Sequence, residues 1–237
     1  PTAAGAQLHE RMAPLIRDMD EAVAQACAAA SQTGGTLRIN TLGMAVRQII
    51  APRLARFHRA HPDVVLDIVV DDALSDIVAG RFDAGIRVGG RLEKDMIAVR
   101  LTPDVMMIAV ASPEYLASMP PIKSPDDLFE HRIIGYIDDL IFSPELDYLD
   151  EVAKGLRAHV QSSSVIAQMN AVMAGAGVGV IHHFMAENEP RLVPLLPETV
   201  QITRSFWLLV HADLKDVARV RAIVDFIVRE AKASRTL

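Results

Sequence analysis

Three serines in a row, Ser162-Ser163-Ser164, stand directly before an apolar helical pattern that starts at Val165. Thr41-Leu42-Gly43-Met44 stands in the same relation to a pattern that starts at Ala45. Both offer binding chemistry rather than bond-making chemistry. The first turn of a helix leaves backbone N–H groups without acceptors and carries the positive end of the helix dipole, so it attracts a carboxylate. Gly43 permits close approach of a ligand to the backbone. One serine serves as a helix cap, and three in a row leave hydroxyls to spare, which makes Ser163 and Ser164 candidate contacts. Arg87, followed by Val88 at the end of an apolar run, offers either a cation for an anionic ligand or a packing salt bridge. Asp71-Asp72 and the Tyr136-Ile137-Asp138-Asp139 stretch follow apolar runs at the same end of their strands. Their acids suit an amine or are simply solvated loops. His182 and His183 point to opposite sides of a strand, so at most one faces a cleft. A ligand-contacting His182 and a surface or capping histidine both remain open.

Other combinations are weaker. Gly175, Gly177 and Gly179 suggest a nucleotide loop, but the dinucleotide fingerprint requires a further glycine where Val180 stands, and requires strand before helix. Here the order is reversed, and a helix cap with a tight turn accounts for the glycines. His58 and His61 lie three apart at a helix end, without the cysteine or carboxylate that would complete a metal set, and Arg53, Arg56 and Arg59 around them read as a solvated cationic face. No nucleophile elbow, P-loop or zinc-protease motif occurs. No catalytic residue, metal ligand or cofactor is expected.

The elements that position these residues follow from periodicity. Residues 37–41, 64–70 and 82–88 read as strands, with an amphipathic helix at 45–60 between the first two and a short helix at 74–79 between the last two. Strand, helix, strand, helix, strand is the pattern of parallel βαβ units. Strands at 97–101 and 105–111 follow, the latter (VMMIAVA) continuously apolar as in a strand covered on both faces. A second unit begins near Ser112, with helices at 113–117, 125–129, 165–174 and 184–189, and strands at 133–137, 158–161, 177–181, 192–195 and 206–211. Residues 138–155 read as irregular. The chain closes on an amphipathic helix at 215–232.

Residues 7–31 carry Leu8, Met12, Leu15, Met19, Val23, Cys27 and Ala30 in one seam, close to the 3.5-residue period of paired helices. The seam packs either on its own domain or on another chain. Its polar remaining faces and its Gly34-Gly35 end favour another chain. Pro14 costs a helix interior about 3 kcal/mol, so a kink or a later start is expected there.

The 237 residues are 51% hydrophobic and 23% charged, enough for a real core and too apolar for wholesale disorder. No apolar run reaches the roughly 18 residues of a membrane span, and the acidic start lacks a secretory layout. A single cysteine, Cys27, fits a reducing cytoplasm. The net charge of −6 supplies no global positive field for nucleic acid.

Several stretches together resemble the LysR-type transcriptional regulators. Pro1–Gly5 resembles the junction between that family's winged helix-turn-helix and its linker helix, and GTLRINT at 35–41 the first strand of its effector-binding domain. PRLARFHRAHP at 52–62, GRFDAGIRVG at 80–89, SPEYL at 112–116, Asp126-Asp127-Leu128 with His131, AGAGVGVI at 174–181 and LVPLL at 192–196 follow in order. The resemblance implies an α/β fold, a two-lobed effector domain like the type II periplasmic-binding proteins, preceded by an N-terminal linker helix. It implies a dimerisation helix at 1–35, lobe I at 36–111, lobe II at 112–209 and a return to lobe I at 210–237. A small effector would sit between the lobes, on Thr41, Leu42, Gly43, Met44, Asp72, Arg87, Val88, Tyr136, Ile137, Ser163, Ser164 and His182. Self-association as a homodimer or homotetramer is expected, with DNA contacted only through a domain upstream of Pro1, and no membrane partner. A transport receptor on the same fold is the alternative.

Overall fold

The computed structural model describes residues 34–72, 77, 80–89, 95–140 and 146–233, together with Gly5, Met12 and Met19. Apart from Ile77, the expected helix at 74–79 lies outside the described residues, as does most of the 7–31 seam.

Two sheets organise the chain. The first has the order β2-β1-β3-β11-β4, formed by β1 (Gly35–Thr41), β2 (Val64–Val70), β3 (Ala84–Val88), β4 (Met96–Arg100) and β11 (Phe206–His211). β1 runs parallel to both β2 and β3, as the alternating sequence pattern predicts. β11 is antiparallel to β3 and β4 and lies between them. The second sheet contains β5 (Val105–Ala111), β6 (Ile133–Gly135), β7 (Val160–Gln161), β8 (Val178–His182), β9 (Val193–Leu195) and β10 (Ile202–Arg204), with β9 and β10 both paired to β5.

Sheet membership moves the expected lobe boundaries. β5 pairs with β8, β9 and β10 and so belongs to the second sheet, not to the segment ending at 111. The chain comes back at Ser205, since Phe206 already pairs with Val88, rather than at 210. An unbroken apolar run shows burial on both faces, which is what β5 has, but not which sheet buries it.

The first helix, α1, is four consecutive segments: Gly43–Ala45, a π turn at Val46–Ile50, a 3-10 turn at Ala51–Arg53, and Leu54–Ala60. Pro52 causes the change of winding, because its ring lacks an N–H and clashes with the preceding turn. The guanidinium of Arg53 makes up the loss: Nη1 donates to Gln48 O at 3.1 Å and to Ile49 O at 2.9 Å. The arginine expected on a solvated face is therefore buried. Phe57 of α1 meets Phe226 edge-on at 5.3 Å, joining α1 to the C-terminal helix α6 (Ala218–Ala233).

The second sheet carries α2 (Pro113–Ala117), a 3-10 turn at Pro125–Glu130, α3 (Leu149–Val152), α4 (Val165–Met173) and α5 (His183–Ala186). Ser112 caps α2 by accepting the Tyr115 N–H at 3.2 Å. Within the stretch read as irregular, α3 and a 3-10 turn at Asp138–Leu140 form, too short to leave a periodic signal.

The glycine run at 175–179 is structural. Gly175 closes α4 with φ +78°, a conformation that favours glycine. A Cβ on Gly177 would stand 2.2 Å from the backbone oxygen of Arg132. Gly177→Ala should therefore lower stability by roughly 1–3 kcal/mol, as a forced backbone shift does. Urea denaturation measures this, and an unchanged midpoint would contradict the assigned packing.

Candidate functional site

The register of β1 against β2 builds the first half of the site. Thr41 stands opposite Val70, so the residues after each strand emerge side by side. Asp71 N–H donates to Thr41 O at 3.0 Å, and the next carboxylate, Asp72, reaches the start of α1. There Gly43 N–H donates to Asp72 Oδ1 at 2.8 Å. Leu42 is extended and supplies no side-chain cap, so the chain caps this helix from 29 residues away. The N–H expected to be open to a ligand is occupied by the protein's own carboxylate.

The second half is built the same way. β6 and β7 pair in parallel with Gly135 opposite Gln161, and Ser162 N–H donates to Gly135 O at 3.0 Å. Ser162 Oγ accepts the Ser164 N–H at 3.2 Å, so Ser162 is the serine used by the turn. Ser164 is the N-cap residue of α4, and its side chain makes no cap bond. Ser163 and Ser164 are half-buried. Gln168 Nε2 donates to Ser162 O at 2.8 Å, while Gln168 Oε1 is buried without a partner.

The two halves meet, because the Gly43–Ala45 turn packs against α4. Tyr136 follows β6 and lies edge-on to Tyr148 at 5.9 Å. Burial, then Tyr148 and Asp72, push its hydroxyl well above the usual phenol range, so it stays neutral. Asp72, from the first sheet, thus acts electrostatically on Tyr136 of the second. Ile137 is half-buried beside it.

The remaining expected residues are placed otherwise. Leu42, Met44 and Val88 are side chains of the main hydrophobic core. Thr41 is buried, with its hydroxyl 3.4 Å from Leu42 O. Arg87 is buried in its own sheet, donating through Nη1 to Asn40 O at 3.3 Å and Ile86 O at 3.2 Å, among other interactions. His182 is 0% exposed, enclosed by Phe184 and Phe206 at ring distances of 5.5 and 5.6 Å. Both its ring nitrogens lack partners. His58 and His61 pack around Phe57.

Sequence reading missed Asn40 and Gln168. Asn40 is buried with both side-chain polar atoms unpartnered. Gln168 had a usable signal: it is the one polar residue in the buried stripe Val165, Gln168, Met169 and Val172.

The family model of the LysR substrate binding domain matches residues 30–232. The HTH-type transcriptional regulator PgrR of Escherichia coli strain K12 is 37% identical over 135 residues, which cover 57% of this chain and 45% of that protein. The uncharacterized HTH-type regulator YcaN of the same strain is 31% identical over 180 residues, 76% of this chain and 60% of that protein. The chain thus spans about half the length of the curated relatives it matches. Among solved structures, the regulatory domain of CrgA, a LysR-type transcriptional regulator from Neisseria meningitidis, aligns with a TM-score of 0.70 at 26% identity, over 84% of this chain and 99% of that domain.

His182 generates a pH dependence. Burial depresses its pKa from 6.5 to about 3, so the folded state binds fewer protons than the unfolded chain throughout that interval. Its contribution to stability is complete above pH 6.5 and is lost as pH falls toward 3. Chemical denaturation of His182→Leu should show a shallower loss between those pH values than the wild-type chain. Parallel curves would remove His182 as the cause.

Proposed function

This chain belongs to the LysR-type transcriptional regulators and carries their effector-binding domain, with a type II periplasmic-binding-protein-like fold, and on that premise we propose that a small molecule seated between its two lobes sets the state in which the full-length protein controls transcription. The observation that carries this reading is the packing of the start of α1, Gly43–Ala45, against α4 of the other sheet, with the Ser163 and Ser164 hydroxyls and the half-satisfied Gln168 amide at the start of α4. An effector with an anionic group is best served at α4, whose cap residue leaves its first turn without a side-chain acceptor. Ser163 and Ser164 add hydroxyl contacts there, and Tyr136 closes the site from the same lobe.

Ligand control follows from differential affinity. A molecule touching both lobes favours the arrangement in which both contacts are made, and shifts the population only by its preference for that arrangement. The apolar seam that the sequence carries at 7–31, most of which lies outside the described residues, is the route we assign for carrying this difference to DNA. Met12 and Met19, both helical and on the seam, are 44% and 60% exposed in the single chain, which supports their burial against a second copy. DNA is contacted through the helix-turn-helix part of the full-length protein, not through this acidic region. The relatives are transcriptional regulators, which supports a binding rather than an enzymatic role and gives the transport-receptor alternative no footing. Among the described residues no helix is long and apolar enough to cross a membrane.

A thermal-shift screen against small carboxylates, amino acids and aromatic acids tests the site. An effector at 100 times its Kd should add about 2.7 kcal/mol of stability, and Ser163→Ala should reduce that gain. A screen without hits, or hits indifferent to Ser163→Ala, would remove the interlobe assignment. Separately, sedimentation at tens of micromolar should show self-association that weakens in Met12→Glu. A strictly monomeric chain would refute the pairing role of the 7–31 seam.

A further inference from the structure

The start of α1 packs against α4 between the lobes, and the N-termini of these two helices are not alike. The α1 terminus holds a carboxylate from within the chain, Asp72 Oδ1 accepting the Gly43 N–H at 2.8 Å. A ligand carboxylate brought there would meet like charge and find this donor taken. The α4 terminus has no such cap. Resting on the interlobe reading above, we infer that the cleft takes a zwitterion of the amino-acid type, its carboxylate on the first turn of α4 and its ammonium group on Asp72.

A second, independent observation points to the cation. Gln168 is 1% exposed, and its Nε2 is spent on Ser162 O, which turns the amide back toward the start of α4. Its Oε1 is left buried with no donor. A carbonyl oxygen in that position can only accept, and the same holds for the ionised carboxylate of Asp72, which keeps a second oxygen beyond the Gly43 bond. The inferred site draws acceptors from Asp72 beside α1 and Gln168 on α4, and amide donors from the first turn of α4. A ligand that satisfies both sets carries an ammonium group and an anionic group on one short frame. A dicarboxylate satisfies one end and is repelled at the other. Tyr136, buried and edge-on to Tyr148, supplies a neutral wall near Asp72.

Amide-resolved NMR titration of the chain with three probes of similar length, succinate, γ-aminobutyrate and putrescine, tests this. γ-Aminobutyrate should shift the amides of Gly43 and Val165 and bind about tenfold more tightly than succinate. Asp72→Asn keeps an oxygen for the Gly43 N–H, so the fold is retained, but loses the charge. In that variant the preference over succinate should vanish. Gln168→Met, which removes the second acceptor at similar volume, should weaken γ-aminobutyrate in the same direction. Succinate binding between the wild-type lobes as tightly as γ-aminobutyrate would overturn the zwitterion while leaving the interlobe site in place. So would a preference that survives Asp72→Asn. If none of the three probes shifts an interlobe amide, the zwitterion likewise falls, whereas the site itself stands or falls on the wider thermal-shift screen.

Discussion

The two passages of chain between the sheets are tied to each other, and the rest of the architecture depends on that tie. Leu101 N–H donates to Phe206 O at 2.8 Å, and Phe206 N–H donates to Thr102 Oγ1 at 3.0 Å. Gly89 N–H donates to Ser205 O at 2.9 Å just beside them. Thr102 is buried, and its hydroxyl donates onward to Pro103 O at 2.8 Å, so its acceptor orientation is fixed. The two connections thus run hydrogen-bonded side by side where the chain passes between the sheets, and they fix where the first sheet ends and the second begins.

Local pairing was legible in the residues, whereas long-range placement was not. The spacing of apolar residues at 35–41 and 64–70 predicts parallel neighbours, and their register then forces Asp72 toward Gly43. Both residues were identifiable as site candidates, but their bond to each other was not, because it depends on that register. β5 announces burial on two faces without naming its partners, and β11 enters the first sheet from more than a hundred residues away. The burial of Arg53 was hidden for a different reason. A cationic residue near a helix end is normally solvated, and only the carbonyls released by Pro52 give it a reason to turn inward.

Gln168 and Asn40 illustrate a further limit. Each is a polar residue among apolar ones, a pattern equally compatible with an exposed turn of helix or strand edge. Only packing shows that their polar atoms are enclosed. Enclosed polar groups without partners are expensive, and native proteins keep few of them. Their survival near the interlobe contact and in the first sheet makes these positions more informative than the hydroxyl-rich serine run, whose first member is fully explained by its own turn.

The position of β11 also imposes an order of events on synthesis. The first sheet is incomplete between β3 and β4 until residues 206–211 exist, and α6, which packs on β1 and α1, comes later still. All strands of the second sheet lie before that point in the chain. During translation the second lobe can thus assemble while the first waits with an open gap, and closure comes only with the final segment. A chain truncated after β10 would not be a smaller sensor. It would be one folded lobe bearing the other four strands of the first sheet, β4 parted from β2-β1-β3, with their apolar edges available for aggregation.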